Sequence, residues 1–228
     1  ILWAPHPKDW NMRHPFRRIC LLALAGLLVS AAQESTARPA HSRRPAPYIV
    51  DTSRPFNQYT WITAHNAFSN GSDYRFWYQN QSHSVGEQLQ AGVRGLMLDI
   101  YESNGAVRVC HSSCGGIEKR LSSYLSEDIL PFLSSHKGAV ITVFLEDYVS
   151  QASLQAELAR VPELAGKTFS PDSWPASQDW PTLRDMREAN QRLLIFALNG
   201  AAGTYRVGSG NVEVMRQESG TVENYWSL

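Results

Sequence analysis

Short apolar runs alternate with helix-like segments along most of this chain. Four runs have the length and the β-branched or aromatic content of buried strands, at residues 59–64, 93–101, 139–145 and 193–198. A fifth run at residues 106–111 follows the second after a Ser-Asn-Gly turn. Helical patterns lie between them, at residues 84–92, 121–136, 153–161 and 183–191. This alternation predicts an α/β fold with a parallel sheet or barrel.

Local signals mark where two of these helices begin, bend and end. Ser84 is a good N-cap, and Glu87 three residues later completes a capping box before Gly92 stops the helix. In the segment 121–136, an internal Pro131 predicts a kink or two short helices. Gly138 closes that segment.

The beginning of the chain has the features of an export signal. Residues 1–11 precede a plausible start at Met12, and we interpret them as upstream read-through. Residues 12–32 combine arginines, an uncharged stretch and small residues, which predicts a cleaved secretory signal peptide. A membrane anchor is the alternative, but it needs about 20 apolar residues. Residues 33–54 are a proline-rich connector, so the globular domain spans residues 55–228, and we expect a secreted, periplasmic or extracellular protein.

Composition and charge exclude several classes of protein. The 228 residues are 43% hydrophobic and carry 21 Lys and Arg against 21 Asp and Glu. This balance excludes a disordered tail, a collagen-like repeat and a coiled coil. The body of the chain has no basic run, which argues against a nucleic-acid partner.

Cysteine usage agrees with export. Cys20 would leave with the signal peptide, and Cys110 and Cys114 would enter an oxidising compartment as a pair. A Cys110–Cys114 disulfide is the favoured interpretation. A zinc site that includes His111 is the alternative, although no second ligand pair follows at zinc-finger spacing.

Polar residues recur where the predicted strands end. His65 and Asn66 follow the first strand, Asp99 lies near the end of the second, His111 ends the third and Glu146 follows the fourth. Because the carboxyl ends of barrel strands form one active-site face, these side chains are the candidate site. His83 and His136 fit no such pattern, and we interpret them as exposed or locally hydrogen-bonded.

The residue types in this set favour metal-assisted displacement at phosphorus. Of two histidines, one can accept a proton while the other donates to a leaving group. Asn66, Asp99 and Glu146 offer oxygen ligands to a hard cation such as Ca²⁺ or Mg²⁺. Such an ion neutralises the non-bridging phosphate oxygens and lowers the pKa of the attacking hydroxyl.

Four segments follow one another along the chain: WITAHNAF, QLQAGVRGLMLDIY, VCHSSC and VITVFLEDY. They resemble, in the same order, the four blocks of the X region of phosphatidylinositol-specific phospholipase C. A second set of segments is PFNQYTWITAHNAF, GVRGLMLDIY, FLEDYV, DWPTLRDM, NQRLLIF and VENYWSL. More narrowly, these resemble secreted phospholipase-C-like phosphodiesterases with a single X domain. The resemblance covers about residues 55–228.

The resemblance implies a distorted TIM (β/α) barrel and a set of site residues. His65 resembles the histidine beside the inositol 2-hydroxyl, and His111 resembles its acid–base partner at the phosphate and leaving group. Asn66, Asp99 and Glu146 fall on positions that bind Ca²⁺ in the metal-dependent branch of the family.

Two departures from the family pattern bear on these expectations. Met97 occupies a position where the metal-dependent family has an acidic residue, and a thioether is a poor ligand for a hard cation. The span 55–228 is also shorter than the ~250 residues typical of the barrel, so we expect a barrel that is incomplete at its C-terminus.

Three functions follow as hypotheses. The first is a secreted phosphoric diester hydrolase that acts on a phosphoinositide, a related phospholipid or another phosphodiester. The others are a non-catalytic module that binds a lipid head group or glycan, and a glycerophosphodiester phosphodiesterase. Aromatic residues within 74–78 predict a possible peripheral membrane contact. The oligomeric state is left open.

Overall fold

The computed structural model describes residues 51–72, 79–115, 118–174 and 180–220, all within one compact unit, Ile49–Leu228. The predicted read-through, the signal peptide and most of the connector therefore lie outside the described residues, as do the aromatic residues at 74–78. None of the helices in the described part is long and apolar enough to cross a membrane.

Seven strands form the sheet that organises the described residues. They are β1 (Thr63–Ala64), β2 (Gly95–Ser103), β3 (Ala106–Val109), β4 (Ile141–Tyr148), β5 (Leu193–Ala197), β6 (Gly203–Val207) and β7 (Gly210–Arg216). The strand order is β1-β2-β4-β5-β7-β6, and β3 pairs with β2. The pairs β1–β2, β2–β4, β4–β5 and β5–β7 are parallel, whereas β2–β3 and β6–β7 are antiparallel. The predicted parallel α/β sheet is confirmed.

Short helices connect the strands. The α-helices are α1 (Val85–Gln90), α2 (Leu121–Ser123), α3 (Leu130–Ser135), α4 (Gln151–Leu158), α5 (Leu183–Glu188) and α6 (Gln217–Gly220). A π-helical segment, Tyr124–Ile129, joins α2 to α3, and 3₁₀ turns occupy Phe56–Gln58, Pro162–Gly166 and Pro171–Ser173.

The two faces of β2 have different environments. Leu96, Leu98 and Ile100 are fully buried in the main apolar cluster, which also holds buried side chains of α1, the π segment and α4. The alternate residues Met97 and Asp99 point to the opposite face, because successive strand side chains alternate. One face of β2 therefore packs in the apolar core, and the opposite face presents the candidate site residue Asp99.

Two local predictions are confirmed at the residue level. Ser84 and Glu87 form both halves of the capping box at the start of α1, and Gly92 follows the helix with φ of 108°. The turn between β2 and β3 places Asn104 and Gly105 at φ of 51° and 67°. These two residue types tolerate left-handed backbone, which allows the tight hairpin.

The predicted strand at residues 59–64 is wrong for most of its length. Only Thr63–Ala64 is a strand, and the Ile62 carbonyl accepts hydrogen bonds from both Arg94 and Gly95. Immediately upstream, the Trp61 ring stacks on Phe56 with ring centroids 5.4 Å apart. Aromatic packing therefore takes the place of strand pairing in this segment.

The predicted irregularity near Pro131 takes the form of the π-helical segment. The Leu130 amide donates to the Leu125 carbonyl, five residues back, and the helix ends at Ser135. Proline has no amide proton and crowds the preceding turn, so the ladder widens before it.

The hairpin β6–β7 was not among the predicted elements. Val212 and Val214 alternate with exposed or half-buried residues, and Gly208 has φ of 58° at the turn. This pattern is a strand signal, but it is short and rich in polar residues.

Candidate active site

Asp99 and Glu146 lie side by side on the central strands. They are directly paired in the parallel register of β2 and β4. Asp99 is 4% exposed, and Glu146 is half-buried. The sequence placed both residues at or after strand ends, but β2 continues to Ser103 and β4 to Tyr148. The two carboxylates therefore belong to rigid strands and not to loops.

His65 and Asn66 enter the site from β1. They directly follow Ala64, whose register partner is Leu96 on β2. The His65 side chain is exposed, and its carbonyl accepts a hydrogen bond of 2.8 Å from Gln81 Nε2. Asn66 is buried, and its backbone is in the left-handed region with φ of 46°. Its Nδ2 donates to Asn80 Oδ1 at 3.4 Å.

His111 is carried by a loop that a disulfide closes. Cys110 and Cys114 are bonded, with their Cα atoms 5.5 Å apart, which confirms the predicted bridge and removes the zinc alternative. The Cys110 amide donates to the Asp99 carbonyl at 3.1 Å. His111, the next residue, is exposed and adjoins the Asp99 strand.

The pKa of Asp99 reports that these groups lie together. Burial and the neighbouring Glu146 carboxylate raise the pKa of Asp99 to about 6, while His111 and His65 oppose that rise. The structure thus brings together both histidines and both carboxylates that the sequence singled out. The arrangement places two exposed histidines beside a pair of carboxylates, of which Asp99 is buried and Glu146 is half-buried.

Two tyrosines at the site were missed by the sequence analysis. Tyr101 and Tyr148 are register partners two residues beyond Asp99 and Glu146, and their rings stack at a centroid distance of 4.6 Å. The sequence did contain a signal for them, because each tyrosine lies two residues after a candidate carboxylate and residues i and i+2 share one face of a strand.

The sheet face that carries Asp99 and Glu146 becomes apolar toward the amino ends of β2 and β4. Met97 pairs with Phe144, and Phe144 stacks on Phe196 of β5 at 5.6 Å. Met97 is half-buried in this layer, directly before Asp99 on the same face. A thioether is a poor ligand for a hard cation, so this layer supplies no further oxygen ligand.

Two other charged residues serve the fold. Asp147 is buried and accepts hydrogen bonds from the backbone amides of Asn199, Gly200 and Ala201, which fixes the loop after β5. Arg94 donates to the Leu89 and Val93 carbonyls, and within the described residues it forms no ion pair with a site carboxylate.

The candidate metal ligands offer oxygen atoms, the ligand type that hard divalent cations prefer. Two adjacent carboxylates repel each other, and within the described residues neither forms an ion pair with a basic side chain. The described part also contains no group of three or more His, Cys, Asp or Glu arranged for a metal. The expected ligands are two carboxylates and one amide, Asn66, Asp99 and Glu146, a combination that suits Ca²⁺ or Mg²⁺.

Sequence comparison finds related proteins in plants and fungi. A PI-PLC X domain-containing protein of Arabidopsis thaliana is 36% identical over 162 residues, covering 66% of this chain and 38% of the relative. PI-PLC X domain-containing protein 1 of Arthroderma benhamiae is 29% identical over 183 residues, covering 77% and 57%. An uncharacterized secreted protein of the same fungus is 25% identical over 178 residues, covering 76% and 39%. This chain thus spans roughly 40–60% of the length of these relatives.

Structure comparison identifies the fold. Phosphatidylinositol-specific phospholipase C from Listeria monocytogenes superposes with a TM-score of 0.54 at 20% identity, covering 72% of this chain and 60% of that one. The fold is therefore that of the distorted TIM-barrel phospholipases, as the sequence resemblance predicted.

A family match completes the comparison. The family model described as PI-PLC X 1 matches residues 52–207, which include every candidate site residue named above. The chain belongs to the PI-PLC X domain family.

Proposed function

We propose that this protein is a secreted phosphoric diester hydrolase that cleaves phosphatidylinositol or a related inositol phosphodiester. The single observation that carries the proposal is the meeting of His65, His111, Asp99 and Glu146 at one place on the sheet. The solved relative from Listeria monocytogenes is a phosphatidylinositol-specific phospholipase C, and an Arthroderma benhamiae relative is a secreted protein.

The two histidines divide the proton transfers. A neutral His65 imidazole takes the proton of the inositol 2-hydroxyl, whose oxygen attacks the phosphorus. The phosphorus–oxygen bond to the diacylglycerol then breaks, and a protonated His111 gives its proton to that leaving oxygen. The products are diacylglycerol and a cyclic inositol phosphate. Both imidazoles are exposed, so both are accessible to a substrate presented from solution or from a lipid surface.

Asn66, Asp99 and Glu146 are proposed to hold a divalent cation, Ca²⁺ before Mg²⁺. When bound, the ion would offset the charge of the non-bridging phosphate oxygens and acidify the attacking hydroxyl. The direct pairing of Asp99 with Glu146 on neighbouring strands supports this assignment. With Met97 in place of a third acidic residue, we expect weaker binding than a three-carboxylate site gives.

The direct test is hydrolysis of phosphatidylinositol by the purified protein, with Ca²⁺ or with EDTA. His65→Ala should lower kcat by about 10²–10⁴-fold, the usual worth of a general base. His83→Ala is the matched control, because His83 is exposed and its nearest acidic partner is Glu87 on α1. Equal activity of the wild type and His65→Ala would reject the proposed mechanism.

The second candidate function is a non-catalytic module that binds a lipid head group or glycan. The two candidates differ in the role of His65 and His111, because binding alone requires no proton transfer by either histidine. A protein that binds inositol phosphate but yields no product from any phosphodiester tested would support that candidate instead.

A further inference from the structure

The stacked tyrosine pair forms a layer directly beyond the two carboxylates. Tyr101 and Tyr148 occupy successive same-face positions after Asp99 and Glu146 on β2 and β4. Their ring planes are 16° apart with centroids separated by 4.6 Å. Tyr148 is 49% exposed, so core packing does not account for its position.

The Tyr148 hydroxyl holds one oxygen of the Glu146 carboxylate. Tyr148 Oη donates to Glu146 Oε1 at 2.5 Å, a short charge-assisted hydrogen bond. A tyrosine hydroxyl is protonated at neutral pH, so this donor is present under assay conditions.

The Tyr101 hydroxyl interacts with the Tyr148 side chain and with the backbone amide of Ser112. Ser112 directly follows His111 and has a left-handed φ of 63°. Tyr101 therefore contacts the loop that carries His111 at a strained point of its backbone.

We propose that Tyr101 and Tyr148 are positioning residues, which hold the Glu146 carboxylate and the His111 loop in one fixed arrangement. Tyr148 restricts the rotation of Glu146 through Oε1, and Tyr101 restrains the loop at Ser112. Stacking couples the two tyrosines, so a shift of one ring displaces the other. The inference rests on the proposed function for the roles of Glu146 and His111.

The experiment compares Tyr148→Phe and Tyr101→Phe with Tyr59→Phe. Each variant loses only a hydroxyl, and Tyr59 donates its own to the Asp51 carbonyl, away from the site. Tyr148→Phe should lower the Ca²⁺ affinity, measured by calorimetric titration, by about 10–100-fold. It should lower kcat for phosphatidylinositol by about the same factor and leave KM unchanged. Tyr101→Phe should lower kcat and speed hydrogen exchange of the Ser112 amide. Tyr59→Phe should change none of these.

The readouts separate failure of the proposed function from failure of the positioning role. If the wild type hydrolyses no inositol phosphodiester, the proposed function fails, and Ca²⁺ affinity and Ser112 exchange still decide the positioning role. The positioning role is overturned if Tyr148→Phe leaves the Ca²⁺ affinity unchanged and Tyr101→Phe leaves the hydrogen exchange of the Ser112 amide unchanged. If the wild type binds no Ca²⁺, hydrogen exchange of the Ser112 amide is the measurement that tests the positioning role. Equal losses in all three variants would mean a general effect of removing a hydroxyl and would also overturn the proposal.

Discussion

The Asp99 carboxyl is almost fully buried beside Glu146, and burial together with that negative neighbour raises its pKa to about 6. At pH values between the usual aspartate pKa and about 6, Asp99 is protonated in the folded protein but ionised in the unfolded chain. The contribution of Asp99 to stability is therefore present at low pH and is lost as the pH rises through about 6.

Asp99→Asn should consequently be more stable than the wild type at pH 7 in EDTA. Each pKa unit corresponds to about 1.4 kcal/mol, and screening at the open face reduces the expected gain to about 1–2 kcal/mol. The advantage should vanish near pH 4. Urea unfolding at both pH values measures it, with the exposed Glu163→Gln as control. A constant difference across the pH range would contradict the assignment of the raised pKa to Asp99.

Met97 is the residue at which this site departs most from the metal-dependent family. It lies before Asp99 on the same strand face, opposite Phe144. Met97→Glu should strengthen Ca²⁺ binding by about tenfold, because an added carboxylate raises the charge of the ligand set. In EDTA the variant should be less stable, since a third carboxylate then lacks a counterion. Calorimetric titration tests this, and weaker Ca²⁺ binding than in the wild type would contradict the proposed ion position.

At the scale of the elements, the end of α3 depends on a buried arginine. Arg192 is 1% exposed and donates to the carbonyls of Leu133, His136 and Ala139, as well as to Asn190 Oδ1. Leu133 lies in the last turn of α3, whereas His136 and Ala139 follow the helix, and the His136 carbonyl also accepts from the Ala139 amide at 2.9 Å. Arg192 therefore joins the end of α3 to the start of β5.

Arg192→Met should therefore lower the free energy of unfolding by about 3–4 kcal/mol, because it removes the buried arginine donor of the Leu133 and Ala139 carbonyls. The exposed Arg206→Met is the control and should change the free energy of unfolding by less than about 0.5 kcal/mol. Denaturant unfolding of the two variants gives the comparison, and a loss as small as that of the control would show that water replaces the arginine.

The disulfide loop holds His111 between two bonded cysteines. Replacing both Cys110 and Cys114 with serine should cost about 2 kcal/mol, since the closed loop is short. We expect a larger effect on catalysis, because the freed loop presents His111 in many orientations. The measurement is kcat at a temperature where both proteins are folded. Equal kcat values would mean that Tyr101 and the backbone suffice to place His111.

Elements with strong local signals were predictable, and those that depend on tertiary pairing were not. The capping box of α1 and the Asn104–Gly105 turn each follow from a few neighbouring residues. The residues before Thr63 have strand-like composition, yet Trp61 packs on Phe56 and the pairing is lost. Pro131 indicates an irregularity in this helix but does not specify that the irregularity takes the π-helical form.

At the scale of the whole molecule, the sequence located the candidate site but not its internal order. The strand-end rule selected His65, His111, Asp99 and Glu146, and the fold brings these four together. The pairing of Asp99 with Glu146 depends on the register of β2 against β4, which strand composition does not specify. The tyrosine layer was missed for the same reason, because its two members meet only when that register is known.

The central claim is that two histidines cleave an inositol phosphodiester through attack of the inositol 2-hydroxyl. The most direct measurement is ³¹P NMR of phosphatidylinositol vesicles incubated with the purified protein and Ca²⁺, beside His65→Ala. The proposed mechanism predicts the five-membered-ring resonance of cyclic inositol phosphate, absent in the variant. Release of glycerol phosphate would indicate a glycerophosphodiester phosphodiesterase instead. An unchanged lipid resonance, or a cyclic product that persists in His65→Ala, would contradict the claim.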